Sequence, residues 1–364
     1  MGTTPGTASM TCIDLASFQE VAGVLEDSAW YFVVKSLDQV ERRTRLVSSR
    51  KGNKFGRIQA RPTAEGILSL GVLKSGRIDE EWRKSFREPR HIRSFRRGEF
   101  LLAEMNRLLR IDPQGQVLQS YTHPYFGFLH TVDLHPRMNR ALVVSSGYDC
   151  ALEIDLEEGK ETHRWVAWDH GFNPDEEGVW LAADRARYEE HLAKGRRALL
   201  IDPLDYGEQG LVTARRSAHP NAGVYNCFRE GQTIILSMGH NGNLLEISLE
   251  EGTTRKVFDQ LDQMPHGIIP RREGWVVTNT TKGEWWTFSP SFESRQCYSV
   301  AKMGGKVPGT ESVEWVQQVI PVGESKALFL DANRGLIAVD IFSRCYSIYQ
   351  PDPNWCIQDA LPCG

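Results

Sequence analysis

Three histidines, a tyrosine and a glutamine stand at one recurring place in this chain, and their types and spacing could do chemistry. They are His91, His130, Tyr225, His266 and Gln317, each near the start of a short apolar strand. The fragments are Arg90-His91-Ile-Arg-Ser, Leu129-His130-Thr-Val-Asp, Val224-Tyr225-Asn-Cys-Phe, Pro265-His266-Gly-Ile-Ile and Val316-Gln317-Gln-Val-Ile. Neutral imidazole is the commonest side-chain ligand for zinc, iron or copper, and three imidazoles leave a coordination position open for water or substrate. His91, His130 and His266 are therefore expected to hold a divalent transition metal, with His130, His266 and Tyr225 acting on a substrate. The competing expectation is a channel filled with polar side chains and water, because a one-residue slip turns a side chain to the other face of its strand. No carboxylate falls at the aligned position, which argues against an oxygen-rich calcium site.

A second set lies in the turns that return to the same mouth. These turns carry Glu104-Met-Asn106, Ser146-Gly-Tyr148-Asp149, Gly239-His240-Asn241, Asn279-Thr-Thr-Lys282 and Asp331-Ala-Asn333-Arg334. Tyr148 and His240 can move protons, and Asp149 can orient or accept one. Gln317, Asn279, Lys282 and Arg334 can bind substrate, with Arg334 suited to a carboxylate or phosphate. Polar turn residues also need no function, since they satisfy their own backbone. No phosphate loop, dinucleotide fingerprint, His-Glu-x-x-His or Gly-x-Ser-x-Gly is present, which excludes several motif-defined enzyme classes.

The elements that must position these residues form a repeat. Six apolar strands read Ile67-Leu-Ser-Leu, Phe100-Leu-Leu-Ala, Ala141-Leu-Val-Val, Thr233-Ile-Ile-Leu, Trp275-Val-Val-Thr and Ala327-Leu-Phe-Leu. A further strand follows each one, as in Ala151-Leu-Glu-Ile-Asp and Leu336-Ile-Ala-Val-Asp, and several of these end in a Gly-bearing turn such as Glu157-Glu-Gly or Glu250-Glu-Gly. Four short strands recurring about every 40 residues are the mark of a β-propeller, whose blades bury their faces only by stacking around an axis. The expected fold is all-β, a six-bladed propeller with seven blades as the alternative. Trp30-Tyr-Phe-Val-Val is read as the outer strand that closes the ring.

From about Arg57 to Gln350 this repeat form resembles the six-bladed propellers of the NHL and SMP-30/strictosidine-synthase-like superfamily. That resemblance implies the fold, and it implies no single chemistry, because propellers of this kind host lactonases, lyases, cyclising enzymes and inert scaffolds.

Residues 173–218 interrupt the rhythm. Within them Ala182-Ala-Asp-Arg-Ala-Arg-Tyr-Glu-Glu-His-Leu-Ala-Lys-Gly reads as a helix ended by Gly195, either a surface decoration or a lid. Residues 1–20, rich in Gly, Thr, Ser and Pro, are expected to be a mobile segment before a single domain spanning 21–364.

Hydrophobic residues make up 40% and charged residues 25%, a balance that supports a large core, and the net charge of −4 leaves no basic field for nucleic acid. The basic pairs Arg42-Arg43, Arg96-Arg97 and Arg271-Arg272 are read as solvated turns or strand ends. No apolar run is long enough to span a bilayer, so no membrane partner is expected and the location is read as cytoplasmic. The seven scattered cysteines are accordingly read as reduced thiols, with Cys356 and Cys363 the one pair that could join. The resulting expectation is an enzyme acting on a small molecule by hydrolysis, elimination, cyclisation or alkyl transfer, with or without a metal. The rival is a propeller that serves as an interaction scaffold.

Overall fold

The computed structural model describes residues 11–52, 62–96, 98–203 and 211–363. Among these, six antiparallel sheets form the blades of a propeller, so the seven-blade alternative falls away. Blade 2 runs His91–Ser94, Phe100–Ala103, Leu108–Ile111 and Val117–Tyr121 from axis to rim. Blade 3 follows with Leu129–Leu134, Arg140–Ser145, Cys150–Asp155 and Glu161–Val166. Blades 4, 5 and 6 begin with the inner strands Pro220–Tyr225, His266–Arg271 and Val316–Val322. Second strands such as Arg140–Ser145 are apolar almost throughout because neighbouring blades cover both of their faces. Rim strands such as Val117–Tyr121 are mostly exposed.

Blade 1 is built from both ends of the chain. Its innermost strand is Ile357–Pro362, which pairs antiparallel with Ala29–Val34, and Glu65–Lys74 and Arg77–Arg87 complete it outward. The strand expected at the outer edge is thus second from the axis, and Ile67-Leu-Ser-Leu belongs to a third strand rather than a second. The side chains of Trp30, Phe32 and Val34 are fully buried at this junction.

Each inner strand faces the axis as an edge, with backbone N–H groups that no further strand can take up. The preceding blade supplies the acceptors. Asp359 accepts from Ile92 N at 3.0 Å, Thr131 from Gly223 N at 3.0 Å, Asp133 from Tyr225 N at 2.9 Å and Thr278 from Val319 N at 2.9 Å. These bonds form a polar belt that ties blade to blade.

The sequence reading missed a helix, α1 (Gln39–Gly52), which lies in the connection between Ala29–Val34 and Glu65–Lys74. Its buried positions are Gln39, Arg42 and Leu46, one face at helical spacing. Two of those three are polar, so no apolar stripe marks the helix in the sequence. Asp38 Oδ1 caps it by accepting from Glu41 N at 2.9 Å. Arg42 is therefore a core residue, 3% exposed, and not a solvated strand end.

In the 173–218 segment, α2 (Arg185–Ala193) starts at the Asp184 cap and gives way to Gly195 at φ +70°. It links the parallel strands Trp180–Ala182 and Ala198–Leu200. This unit sits beside blade 3, where Tyr125 Oη donates to Ala183 O at 3.3 Å and Tyr148 Oη to Pro203 O at 2.9 Å.

Residues 1–10 lie outside the described residues, but 11–20 are not loose. Ile13–Asp14 adds a parallel strand to the rim of blade 5, and Gln19–Glu20 adds one to blade 6. A disulfide joins Cys12 to Cys297, correcting the all-reduced reading. Cys356 and Cys363 remain free thiols. No helix among the described residues is long and apolar enough to cross a membrane.

Removing residues 356–364 should leave Ala29–Val34 as an open apolar edge and abolish the single cooperative thermal transition, with loss of monomeric protein on gel filtration. A cooperative melt within a few degrees of the full chain would show that the C-terminal strand is dispensable.

Candidate functional site

A bulge recurs in the inner strands. One residue is skipped in the pairing of each of five blades, at His130, Asn221, Gly267, Gln317 and Gln358. A bulge re-aims side chains at the end of a strand. Beside the bulges, Glu88, Phe128, His219 and Met264 all take positive φ, each two residues before Arg90, His130, Asn221 and His266. These four side chains, with Gln317 and Gln358, make a buried ring at one mouth of the channel, one from each blade.

His130 and His266 share a second feature. The Nδ1 of His130 lies 2.7 Å from Ser146 Oγ, whose own hydrogen is given to Pro220 O. Ser146 must then accept, which puts the imidazole hydrogen on Nδ1. His266 Nδ1 is 2.8 Å from Met264 O and 2.9 Å from Thr280 Oγ1, and a carbonyl can only accept, so it too carries Nδ1–H. Each ring consequently presents an unprotonated Nε2, and neither Nε2 has a hydrogen-bond partner among the described residues. The two ring centroids are 6.0 Å apart, and His219 packs 5.3 Å from His130.

Cations surround this cluster. The Arg90 guanidinium stacks 3.5 Å over Phe128 and pairs with Glu88. From α1, Arg42 reaches in to donate to Gln317 Oε1 at 2.6 Å and to Ile357 O at 3.1 Å. Lys35 follows the strand Ala29–Val34, and burial, reinforced by Arg42 and Arg90, holds its ammonium well below the usual lysine range. Burial first, then Arg90 and the neighbouring imidazoles, pushes His130 well below the ordinary histidine value, and burial followed by His240 and His266 does the same to His219. Burial brings His266 down to about 3, although its bond to Met264 O opposes the shift.

The structure thus gathers His130, His266, Gln317 and His240, which stacks on His219 at 5.3 Å. It does not gather the others. Tyr225 lies at the far end of its inner strand, four residues beyond the ring position Asn221, and donates to Glu153 Oε1 at 2.9 Å. Tyr148 is occupied by Pro203 O, and burial raises its phenol to about 12. Asp149 accepts from His219 N at 2.8 Å and from Ser217 Oγ, so it fixes the return of the inserted segment. Asn279 bridges Asp262 N and Glu284, and Lys282 stands half-exposed on the surface, 3.4 Å from Asp262. Arg334 is consumed by Asp331, Glu314 and Met303 O.

His91 also departs from the expected metal set. Its Nδ1 faces Val132 N at 3.4 Å and its Nε2 lies 3.5 Å from Asp359, so it belongs to the belt below the mouth. Among the described residues, the one His, Cys, Asp and Glu set near enough to share an ion is Cys12, Glu284 and Cys297, whose sulfurs are bonded to each other. The expected ligands His91, His130 and His266 do not converge.

Sequence reasoning missed Lys35, Arg42, Arg90 and His219. His219 stands two residues before the ring residue Asn221, the spacing that Phe128 keeps to His130, and this was the available signal.

Comparison with known proteins supports the fold alone. No family model and no curated protein matches the chain. A protein of unknown function from Bacteroides caccae superposes with a TM-score of 0.54 at 11% identity, over 93% of this chain and 99% of that one. The structure of a nidogen/laminin complex contains a chain with a TM-score of 0.53 at 9% identity, over 92% and 97%. A catalytically inactive virginiamycin B lyase from Staphylococcus aureus reaches a TM-score of 0.45 at 12% identity, over 75% and 76%.

The neutral histidines make stability depend on pH. Their folded values lie below the unfolded value of about 6.5, so the unfolded chain binds more protons below that point, and stability is full above about 6.5 and lost as pH falls towards 3. Each such imidazole contributes a slope of up to about 1.4 kcal/mol per pH unit. Denaturant unfolding of the chain between pH 7 and 5 should show this loss, and His219→Asn should reduce the slope by about one proton. Equal slopes for the two proteins would mean that His219 is protonated in the fold.

Proposed function

We propose that the chain is an enzyme that acts on a small, negatively charged organic molecule at the α1-covered mouth of the channel by metal-free acid–base catalysis. One observation carries this reading: His130 and His266 are both fixed as Nδ1–H tautomers, which leaves unprotonated Nε2 atoms on two buried rings whose centroids lie 6.0 Å apart. An imidazole held neutral well below pH 7 is ready to accept a proton, and its fixed Nδ1–H bond stabilises the imidazolium that forms. Arg90, paired with Glu88 and stacked on Phe128 beside His130, would be the guanidinium nearest to negative charge developing on the substrate, and charge stabilisation of this kind works best where water is excluded. Proton abstraction next to a carboxylate, as the first step of an elimination or cyclisation, fits these parts. A resident divalent cation fits poorly, because Lys35, Arg42 and Arg90 repel it at close range.

The scaffold reading has less support. Among the described residues, exposed large apolar side chains such as Val40, Val117, Leu118, Met138, Leu192 and Phe342 are spread over several elements of the chain.

Exchange of carbon-bound hydrogen tests the proposal before a substrate is known. A panel of small carboxylates in D2O, followed by proton NMR, should include at least one whose exchange the protein accelerates. His130→Gln and His266→Gln should each lower that rate at least 100-fold with little change in melting temperature, and EDTA should leave it unchanged. Retained exchange in both variants, or loss on chelation, would overturn the mechanism.

A further inference from the structure

Beside the mouth, α1 and blades 1 and 6 enclose a cleft of about 310 Å³, near the lower end of the ~300–1,000 Å³ range of small-molecule pockets. Its inner end is shared with the mouth through Arg42 and Ile357. Its lining is uneven in a way that specifies a ligand. Leu336, Ile357 and the ring of Trp355 give it an apolar wall. Trp355 is 3% exposed, yet its Nε1–H has no hydrogen-bond partner. A buried donor left without an acceptor is costly and uncommon, so an acceptor is expected from outside the fold.

The charge in the cleft points the same way. Arg43 uses Nε to donate to Ala332 O at 2.9 Å, an oxygen that also accepts from Gln39 Nε2 at 2.9 Å. The two Nη groups of Arg43 have no partner among the described residues, and neither Arg43 nor Arg42 forms an ion pair there. Two carboxylates line the cleft, Asp331, which pairs with Arg334 at 2.7 Å and accepts from Asn333 N at 2.8 Å, and the exposed Asp352, and neither forms an ion pair with Arg42 or Arg43 among the described residues. A guanidinium edge and an indole N–H are donors only, and together they suit the two oxygens of a carboxylate.

We infer that this cleft is a binding site for a small monocarboxylate with a compact apolar body, its carboxylate held by Arg43 and Trp355 Nε1–H and its body against Leu336 and Ile357. The site is separate from the histidine cluster and stands or falls independently of the catalytic reading. Because α1 forms one wall, occupancy would also hold the helix that carries Arg42 into the mouth.

Phenylacetate and hexanoate are suitable probes, with phenylacetamide and 1-hexanol as uncharged matches. Binding can be followed by the Trp355 indole resonance in nitrogen–proton correlation spectra, which Trp355→Phe identifies among the ten tryptophans. The carboxylates should bind saturably and move that resonance, with the uncharged matches at least tenfold weaker. Arg43→Met should weaken carboxylate binding at least tenfold at an unchanged melting temperature, and Arg43→Lys should restore part of it. The inference is overturned if neither carboxylate binds, if amide and acid bind equally, or if Arg43→Met and Trp355→Phe both retain full affinity.

Discussion

A propeller leaves six strand edges facing its own axis, and the way their backbone N–H groups are satisfied constrains everything else in this molecule. Here the acceptors are side chains of the adjoining blade, among them Asp359, Thr131, Asp133 and Thr278. Such bonds are short, buried and directional, so they fix the spacing of the blades more narrowly than apolar packing does. They also divide the channel by role. Polar residues in the belt are committed to structure, and His91 is drawn into it through Asp359. Only above the belt, where bulges turn the strand starts outward, are polar side chains left over for chemistry.

What sits above is dry because the chain covers it. The helix α1 lies over one side of the mouth, and residues 211–219 return against the Ser146–Tyr148 turn on the other, with Val212 and Thr213 fully buried. Enclosure holds the imidazoles neutral, since charging three of them beside Lys35, Arg42 and Arg90 would concentrate positive charge where no solvent relieves it. Cover, tautomer and charge are thus one arrangement. The Nδ1–H bonds of His130 and His266 could be made in water, but only here do they leave the opposite nitrogen bare and shielded.

The repeat was legible because stacked blades impose it. Second strands buried on both faces read as continuous apolar runs, and turns need glycine or its substitutes at fixed places. His130, His266 and Gln317 could be found for the same reason, as they stand beside bulges at equivalent strand starts. The reading failed where the repeat fails. In blade 4 the long insertion hid the true strand start, so Tyr225 was placed four residues out of register and His219 was passed over. Blade 1 takes its inner strand from the far end of the chain, so no alignment of successive repeats could show that Gln358 completes the ring or that α1 fills its connection. Lys35 and Arg42 were invisible because a cation's burial is decided by what folds over it. The pairing of Cys12 with Cys297, 285 residues apart, follows from the N-terminal strand lying along blade 5 and from nothing local.

The shared blade has a consequence for how the protein is made. Ala29–Val34 leaves the ribosome more than 300 residues ahead of its partner Ile357–Pro362. At typical elongation rates of 5–20 residues per second, the interval is roughly 15–65 s. During that time an apolar strand that becomes fully buried has one edge open, and every blade behind it can fold while the ring stays a horseshoe. The nascent chain is therefore most vulnerable to pairing with a neighbour on the same polysome until Ile357–Pro362 is made, and its yield should depend on holdase chaperones more than the stability of the finished ring suggests.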